Sequence, residues 1–368
     1  MKRFTDQVKK FVDSDVRRWA STHENIRHYP EELINTMKSL GLFGLNVPSE
    51  FGGFTATPKE LLDIVRELAR GFVPLTGMLG SHLKVCEYLV RFGTASQREN
   101  LLPKMANGSM IAAHAYTEKE GKSPDSLQTN LQLLSDKLML QGNKILITNA
   151  ANADLIAIVA SYQTRNDEQD RKVGIALLSS KQDGLVISDD IPRLGMEGIS
   201  LCNLNFECEI TTEQMLGGIE FNGKKALEEV QIGTLINYSA RAVGLAETIV
   251  KETIEYVESK KSVGHLLKDI SAVQNKIASM KSRLKEEENI LNELVSRFEE
   301  GTNLIKDAYK TKAFTTESTV DIARIGLALH GGVGYTKQHQ IERHLREAIG
   351  LTLIGAPTDV ALARAEIL

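Results

Sequence analysis

The chain has 368 residues, of which 42% are hydrophobic and 25% are charged, a balance typical of a globular protein with several subdomains. The formal net charge of −4 argues against strongly anionic partners, so nucleic acids and anionic membrane surfaces are excluded as first guesses. Three cysteines without metal-like spacing, no charged-then-apolar leader and no uncharged apolar run of about 18 residues predict a cytoplasmic protein that does not span a membrane.

Residues 1–110 are predicted to form an N-terminal helical domain, because apolar residues recur there at helical spacing between segments rich in glycine and proline. Residues 111–217 change to short runs rich in β-branched residues, bounded by turn formers, which predicts a middle domain of antiparallel strands. The polar segment 164–172 between two of these runs predicts a solvated hairpin loop.

Residues 218–368 return to the helical period and are predicted to form a C-terminal helical bundle. We expect one very long helix over residues 223–260. The next helix carries a heptad run that Glu287 interrupts: Ile270, Val273, Ile277, Met280, Leu284, Leu291, Leu294 and Phe298. A coiled-coil interaction protein is one interpretation of this run, but its setting in a mixed chain favours the core of an antiparallel bundle.

The segment TLIGAPTDVALAR, residues 352–364, is the last distinct segment of the C-terminal region. It is interpreted as a strand-like apolar run that ends in Gly-Ala-Pro and is followed by the start of a helix.

The order of these regions and several local strings resemble the acyl-CoA dehydrogenase family over essentially the whole chain. The strings are VPSEFGG at 47–53, AYTEKEGKSPD at 115–125, NKILITNAANADLIAIVA at 143–160, YVESKKSVGH at 256–265 and LALHGGVGYTKQHQIERHLREA at 327–348. The resemblance implies an α+β fold with an N-terminal helical domain, a middle β domain and a C-terminal four-helix bundle. It also implies FAD between the β domain and the bundle, hydride transfer from substrate to flavin N5, and a homodimer or homotetramer in which subunits share flavin contacts.

The resemblance implies flavin contacts at four positions of the predicted middle domain. Tyr116 and Thr117 match the segment whose backbone amides and threonine hydroxyl bind the flavin's pyrimidine edge. Thr148 matches the threonine whose hydroxyl approaches N5, and Leu146 stands where the family usually has a tryptophan over one flavin face. On local grounds alone, Thr117 equally suits the end of a strand, and Thr148 suits a strand interior.

Four further positions match the family's contacts less closely. Ser123 lies where a loop departs from the family pattern and is a candidate contact for phosphate or acyl chain. Lys260 replaces an arginine that reaches the FAD diphosphate of a neighbouring subunit, although a solvated lysine at a helix end is the simpler interpretation. Gly331 and Gly332 match glycines whose backbone approaches the cofactor, and they equally suit a helix C-cap. The usual glutamine nearby is Ala328.

The family's catalytic base is missing at both of its usual places. Gly355 occupies the position of the common glutamate, and Thr234, followed by Leu235, occupies the alternative position on the long helix. Removal of the weakly acidic proton beside a thioester carbonyl needs such a base, so simple desaturation of a fatty acyl chain is not expected.

The resemblance is therefore to those family members that act in polyketide extender-unit pathways on hydroxymalonyl, methoxymalonyl or aminomalonyl units. The hypothesis is FAD-dependent oxidation of a small heteroatom-bearing acyl thioester on CoA or an acyl carrier protein, with oxygen or an electron-transfer flavoprotein as acceptor. Two alternatives stay open: desaturation with a relocated base such as Asp359 or Glu347, and a degenerate homologue without flavin. His330 and His344 are interpreted as structural hydrogen-bond donors.

Overall fold

The computed structural model describes residues 2–22, 29–121, 123–134, 137–163, 171–262 and 264–367. Most of the hairpin loop predicted at 164–172, namely residues 164–170, lies outside the described residues. The described chain falls into an N-terminal group of helices, a sheet and a C-terminal group of helices.

In the described part of the chain, six α-helices precede the sheet, as the helical period of this region predicts: α1 (Lys2–Phe11), α2 (Arg17–Thr22), α3 (Glu31–Ser39), α4 (Pro58–Gly71), α5 (Val73–Phe92) and α6 (Ala95–Ala106). Capping boxes fix two of their starts. Thr57 and Glu60 cap α4, and Thr94 and Gln97 cap α6, each pair exchanging side-chain and backbone hydrogen bonds. Helix α5 is buried on most of its faces and runs through the centre of the molecule.

The sheet contains seven strands: β1 (Ala112–Ala115), β2 (Asn130–Leu134), β3 (Lys137–Thr148), β4 (Leu155–Gln163), β5 (Arg171–Ser179), β6 (Leu185–Ile187) and β7 (Leu201–Ile210). The prediction of a purely antiparallel sheet is wrong in one respect, because β1 and β2 both pair with β4 in parallel. These two strands run in the same direction along β4, joined by the loop of residues 116–129, so the sheet is mixed. The other strand pairs are antiparallel.

The C-terminal helices are α7 (Gly223–Glu229), α8 (Gln231–Ser259), α9 (Ser271–Glu299), α10 (Ile305–Gly334), α11 (Ile341–Leu353) and α12 (Thr358–Ile367), with a small hairpin of β8 (Lys261–Ser262) and β9 (His265–Leu266) after α8. The single helix expected over 223–260 is wrong, since the chain breaks at Val230, whose amide ends α7 by donating to the Ala226 carbonyl. The strand-like interpretation of 352–353 is also wrong, because these residues complete α11. The predicted helix start at 358 is correct.

The heptad run of α9 packs within the bundle, as predicted, and its apolar face meets α8 and α10. Glu287, which interrupts the run, is fully buried in the same interface.

Residues Ile341–Ile367 are long and apolar enough to match a membrane-spanning helix in length and composition, with 28% of the window buried. The turn around Gly355 divides this stretch into α11 of 13 residues and α12 of 10 residues. At 1.5 Å per residue each is about 20 Å long or shorter, less than the roughly 30 Å hydrocarbon thickness.

Candidate active site

A cavity of about 400 Å³ lies between the sheet and helices α5 and α8, in the size range of small-molecule and cofactor sites. Its sheet wall, its two helix walls and the turn after α11 each contribute side chains. Six of the ten positions singled out from the sequence line it: Tyr116, Thr117, Leu146, Thr148, Thr234 and Gly355. The remaining four, Ser123, Lys260, Gly331 and Gly332, do not.

The sheet wall is shaped by an irregularity in β3. The pairing of β3 with β7 shifts register between Lys144 and Ile147, and Leu146 inside this bulge has a φ of +56°. The Leu146 amide donates to Asn203 Oδ1 at 3.1 Å, and the side chain stays 50% exposed although it is large and apolar. The bulge therefore presents Leu146, and beyond it Thr148, to the cavity.

A buried ion pair holds the segment with Tyr116 and Thr117 against β3. Glu118 accepts hydrogen bonds from Lys144 Nζ at 2.6 Å and from the amides of Gln128 and Thr129 at 2.6 and 3.0 Å. Burial lowers the pKa of Lys144 to about 8, so its ammonium form depends on Glu118. The pKa of Glu118 is lowered, because the hydrogen bonds from Lys144, Gln128 and Thr129 outweigh the effect of burial. The pair fixes the loop that begins at Tyr116.

The wall formed by α8 carries polar groups that the sequence analysis missed. Arg241 is 5% exposed and lines the cavity, with Nε donating to Asn237 Oδ1 at 2.8 Å. Its guanidinium carbon lies 4.8 Å from the centroid of the Tyr238 ring. Burial lowers the pKa of Arg241 to about 10, so the guanidinium is still charged at neutral pH. The available sequence signal was an arginine within a run of small and apolar residues.

The two positions of the expected base contain no acid, and one is closed by a neighbour. Gly355 has a φ of +81°, and a Cβ there would collide with the Tyr238 ring, lying 2.8 Å from its Cζ. The Thr234 hydroxyl donates to the carbonyl of Val230, the residue that precedes α8, at 2.8 Å. Burial raises the pKa of Tyr238, which keeps its phenol protonated. Neither position therefore supplies a carboxylate.

The turn that carries Gly355 is anchored by Lys312 of α10. Lys312 Nζ donates to the carbonyls of Thr352 at 3.0 Å and Ala356 at 2.6 Å, at the C-terminal end of α11. Burial lowers the pKa of Lys312 to about 8. A cation at a helix C-terminus is favourable, so this contact fixes the turn beside the cavity.

Among the residues the structure describes, Glu87 is the one carboxylate that lines the cavity. It lies ten positions after Gly77 on α5, about 15 Å along the helix axis, and a Cβ at Gly77 would lie 3.8 Å from Thr148 Cγ2. Burial raises the pKa of Glu87, and the nearby Arg91 opposes that rise. Glu87 is therefore distant from the end of the cavity where Thr148 lies.

The two acids considered as relocated bases lie elsewhere. Glu347 is buried on α11, where Oε1 lies 3.6 Å from Arg343 Nε and Oε2 lies 3.7 Å from His344 Nδ1. Asp359 is exposed in the first turn of α12. Neither lines the cavity, and a base at either position would need a rearrangement of the helix that carries it.

Three of the remaining predicted positions lie near one another, at the ends of α8 and α10. Lys260 Nζ lies 5.6 Å from the Tyr256 ring centroid, and Tyr256 donates its hydroxyl hydrogen to the His330 carbonyl at 3.2 Å. Gly331 follows at once with φ 61° and ψ −145° in a kink of α10, and a Cβ on it or on Gly332 would meet no atom within 4 Å. This group is exposed and separate from the cavity.

The last predicted contact and the two histidines have local partners. Ser123 Oγ accepts from the Asp125 amide at 3.3 Å and caps a short turn. His330 Nδ1 lies 2.7 Å from the Gly326 carbonyl, and His344 Nε2 lies 3.1 Å from Glu252 Oε2. His344 has its pKa raised to about 9, because its carboxylate neighbours outweigh burial.

Comparisons with known proteins match nearly the whole chain to three models of one family. Residues 1–109 match the N-terminal domain of acyl-CoA dehydrogenase, residues 113–208 match the middle domain and residues 236–365 match the C-terminal domain. The 3-(aryl)acrylate reductase of Clostridium sporogenes is 25% identical over 360 residues, which are 96% of this chain and 94% of the relative.

Two solved structures share the fold over the whole chain. The FAD complex of PigA superposes with a TM-score of 0.91 at 23% identity, covering 100% of this chain and 97% of PigA. The prolyl acyl carrier protein oxidase AnaB superposes with a TM-score of 0.88 at 24% identity, covering 100% of this chain and 98% of AnaB.

Proposed function

Because the chain belongs to the acyl-CoA dehydrogenase family of FAD-dependent oxidoreductases, we propose that it oxidises a small acyl thioester at a carbon that bears oxygen or nitrogen. One observation carries the proposal. Gly355 and Thr234 stand where the family's base is expected, and the ring of Tyr238 fills the space beside Gly355.

The cavity suits the cofactor that the family implies. Thr117 and Thr148 line the cavity, and Leu146 lines it with a half-exposed apolar side chain. Bound FAD supplies an acceptor for a hydride. Outside the cavity, a second binding surface is formed by Lys260, Gly331 and Gly332. Its exposed lysine and open glycine backbone suit the diphosphate of a flavin held by a neighbouring subunit. Ser123 remains a candidate contact on the sheet side.

The residues around the reacting end favour loss of hydride from a heteroatom-bearing carbon. A C–H bond beside a thioester carbonyl loses its proton slowly without a positioned base, at a cost of roughly 10²–10⁴-fold in rate. An oxygen or nitrogen lone pair on the same carbon stabilises positive charge as the hydride leaves. The proton that follows comes from an O–H or N–H group, and water that enters along α5 past Glu87 can accept it.

Desaturation with a relocated base is the second candidate reaction. Glu347 and Asp359 lie outside the cavity, whereas Glu87 lines it, with Oε2 3.9 Å from the point that a Cβ of Gly233 would occupy, beside the alternative base position Thr234. Glu87 is therefore the acid that this reaction would use. The alternative of a flavin-free homologue loses its basis, because the chain matches a flavoenzyme family in all three domains. We propose further that the thioester is carried by CoA or an acyl carrier protein, as in the hydroxymalonyl, methoxymalonyl and aminomalonyl group of the family. We propose that the enzyme is a cytoplasmic homodimer or homotetramer, and that oxygen or an electron-transfer flavoprotein reoxidises its flavin.

Anaerobic flavin bleaching tests the reaction. Holoenzyme is mixed with glyceryl or seryl thioesters on a carrier protein and, in parallel, with butyryl-CoA. We expect bleaching with a heteroatom-bearing substrate and at least about 100-fold slower bleaching with butyryl-CoA. Rapid bleaching with butyryl-CoA would refute the proposal in favour of desaturation, and a purified protein that stays colourless in excess FAD would refute both.

A further inference from the structure

The guanidinium of Arg241 is a buried cation without an acidic partner in the described chain. Its Nε bonds to the neutral amide of Asn237 and its guanidinium lies over the Tyr238 ring, and no carboxylate oxygen of the described residues lies within 4 Å of its nitrogens. A buried charge of this kind is costly unless an opposite charge compensates it. Since Arg241 lines the cavity, a ligand in the cavity is placed to supply that charge.

Helix α5 is shaped to admit this guanidinium. Gly77 and Gly80 lie three positions apart and face α8. A Cβ at Gly80 would collide with Arg241 Nη2 and lie 2.9 Å from Asn237 Oδ1, and a Cβ at Gly77 would lie 4.0 Å from Arg241 Nη1. Each glycine costs the helix about 1 kcal/mol relative to alanine. Gly80 therefore leaves space for the arginine in spite of a penalty to the helix, whereas a Cβ at Gly77 would make only ordinary van der Waals contact with it.

Arg241 lies at the end of the cavity where Thr148 lies. The point that a Gly77 Cβ would occupy is 3.8 Å from Thr148 Cγ2 and 4.0 Å from Arg241 Nη1. The α5 wall carries two cationic residues, Lys84 and Arg91, which are seven and fourteen positions after Gly77 on that helix. Arg91 is exposed, so an acyl group that entered beside it would reach Arg241 with its far end, and the phosphates of its carrier would stay near Arg91.

We propose that Arg241 binds a carboxylate on the acyl group, so that the preferred substrates are thioesters of short dicarboxylic acids or their hydroxy and amino derivatives. The inference rests on the proposed function, because it assumes that the acyl group of the substrate binds in this cavity. Guanidinium suits the role, since its planar N–H groups match the two oxygens of a carboxylate.

Binding rather than turnover tests the proposal. Holoenzyme is titrated with succinyl-CoA and with butyryl-CoA, which have the same chain length, and with malonyl-CoA and propionyl-CoA, while the flavin spectrum reports occupancy. We expect one or both carboxylated ligands to bind about 10- to 100-fold more tightly than the neutral partner, the range for a hydrogen-bonded charge pair. Arg241→Gln should remove this preference with little effect on the neutral ligands, and Arg241→Lys should retain part of it.

Arg91→Gln is the matched control, because it removes a cation at the entrance of the same cavity. It should weaken carboxylated and neutral thioesters together and leave their ratio unchanged. Equal binding of both ligand classes by the unmodified protein would overturn the proposal, and that comparison needs no variant to fold. A preference that survives Arg241→Gln, together with a shifted flavin reduction potential, would instead assign Arg241 to the cofactor.

The two proposals can fail separately. A clear preference for the carboxylated thioesters, without oxidation of any heteroatom-bearing substrate, would support the role of Arg241 and refute the proposed reaction. Oxidation of neutral heteroatom-bearing thioesters, without any preference for a carboxylate, would do the reverse.

Discussion

The ring of Tyr238 occupies the space that a side chain at position 355 would need. Its Cζ lies 2.8 Å from the point where a Cβ of Gly355 would be, and Gly355 itself has a φ of +81°. The Tyr238 ring therefore leaves no room for an acidic side chain at position 355. Restoring the acid alone does not restore the geometry of a base.

The first prediction concerns this pair. Gly355→Glu should lower stability by about 1–3 kcal/mol, because the new side chain collides with Tyr238 and the backbone is left-handed. It should give no rapid bleaching with butyryl-CoA. Tyr238→Ala combined with Gly355→Glu should lose less stability than the sum of the two single losses, as measured by thermal unfolding of Gly355→Glu, Tyr238→Ala and the double variant. Additive losses in the double variant would show that Tyr238 does not exclude the side chain.

The second prediction uses Leu146 as an optical probe of the flavin site. The chain has a single tryptophan, Trp19, so Trp19→Phe provides a background without indole emission. In that background Leu146→Trp should fold, since the position is 50% exposed, and its emission should be strongly quenched when FAD binds. The control is Leu133→Trp, at a similarly exposed leucine of β2 that does not line the cavity. Equal quenching at both positions would contradict the placement of the flavin beside Leu146.

The third prediction concerns the ion pair of Glu118 and Lys144. Glu118→Gln leaves a buried ammonium without its counter-charge and weakens the support of the 116–129 loop, so we expect a loss of about 3–5 kcal/mol in stability and weaker retention of FAD. Thermal unfolding and FAD release by dilution measure the two effects. Adding Lys144→Met should restore much of the stability.

The exposed pair of Lys137 and Glu209 provides the control for the third prediction, with side chains 57% and 55% exposed on neighbouring strands. Glu209→Gln should cost less than about 1 kcal/mol and leave FAD retention unchanged. If Glu118→Gln behaves in the same way, the loop does not depend on the buried pair.

The fourth prediction concerns Glu287, whose pKa is raised by burial from 4.5 to about 8. Between these values the folded chain holds a proton that the unfolded chain has released, so stability falls as pH rises, by at most about 1.4 kcal/mol per pH unit. Glu287→Gln should remove this contribution. Thermal midpoints of the two proteins from pH 5 to pH 9 measure it, and Glu293→Gln, at an exposed site of the same helix, is the control. Parallel curves for the unmodified protein and Glu287→Gln would disprove it.

The sequence predicted those features that depend on local pattern. The three regions follow from the periodicity of apolar residues. Thr117, Leu146 and Thr148 were singled out by their positions in local strings; all three line the cavity, and their contact with flavin stays a prediction. The parallel pairing of β1 and β2 with β4 was missed, because each strand has the same pattern in either direction. The break at Val230 was missed because valine continues the helical period.

The polar wall of the cavity could not be predicted, because its parts are distant in the sequence. Arg241 becomes notable only when α5 places Gly77 and Gly80 against it. Tyr238 becomes notable only when the turn after α11 brings Gly355 to its ring. In the sequence, Glu287 appeared only as an interruption of a heptad. In the structure it is buried against α10, where the Thr319 hydroxyl donates to its carboxyl group, and burial raises its pKa, which favours the neutral form.

The two hydrogen bonds from Lys312 to the carbonyls of Thr352 and Ala356 have a consequence for attempts to alter substrate choice. The turn beside the cavity is fastened to the N-terminal third of a 30-residue helix rather than left as an adjustable loop. Libraries that randomise residues 353–357 alone should therefore yield mostly inactive or poorly folded proteins. Libraries that vary position 238 and keep Lys312 should reshape the pocket and yield a smaller share of poorly folded proteins.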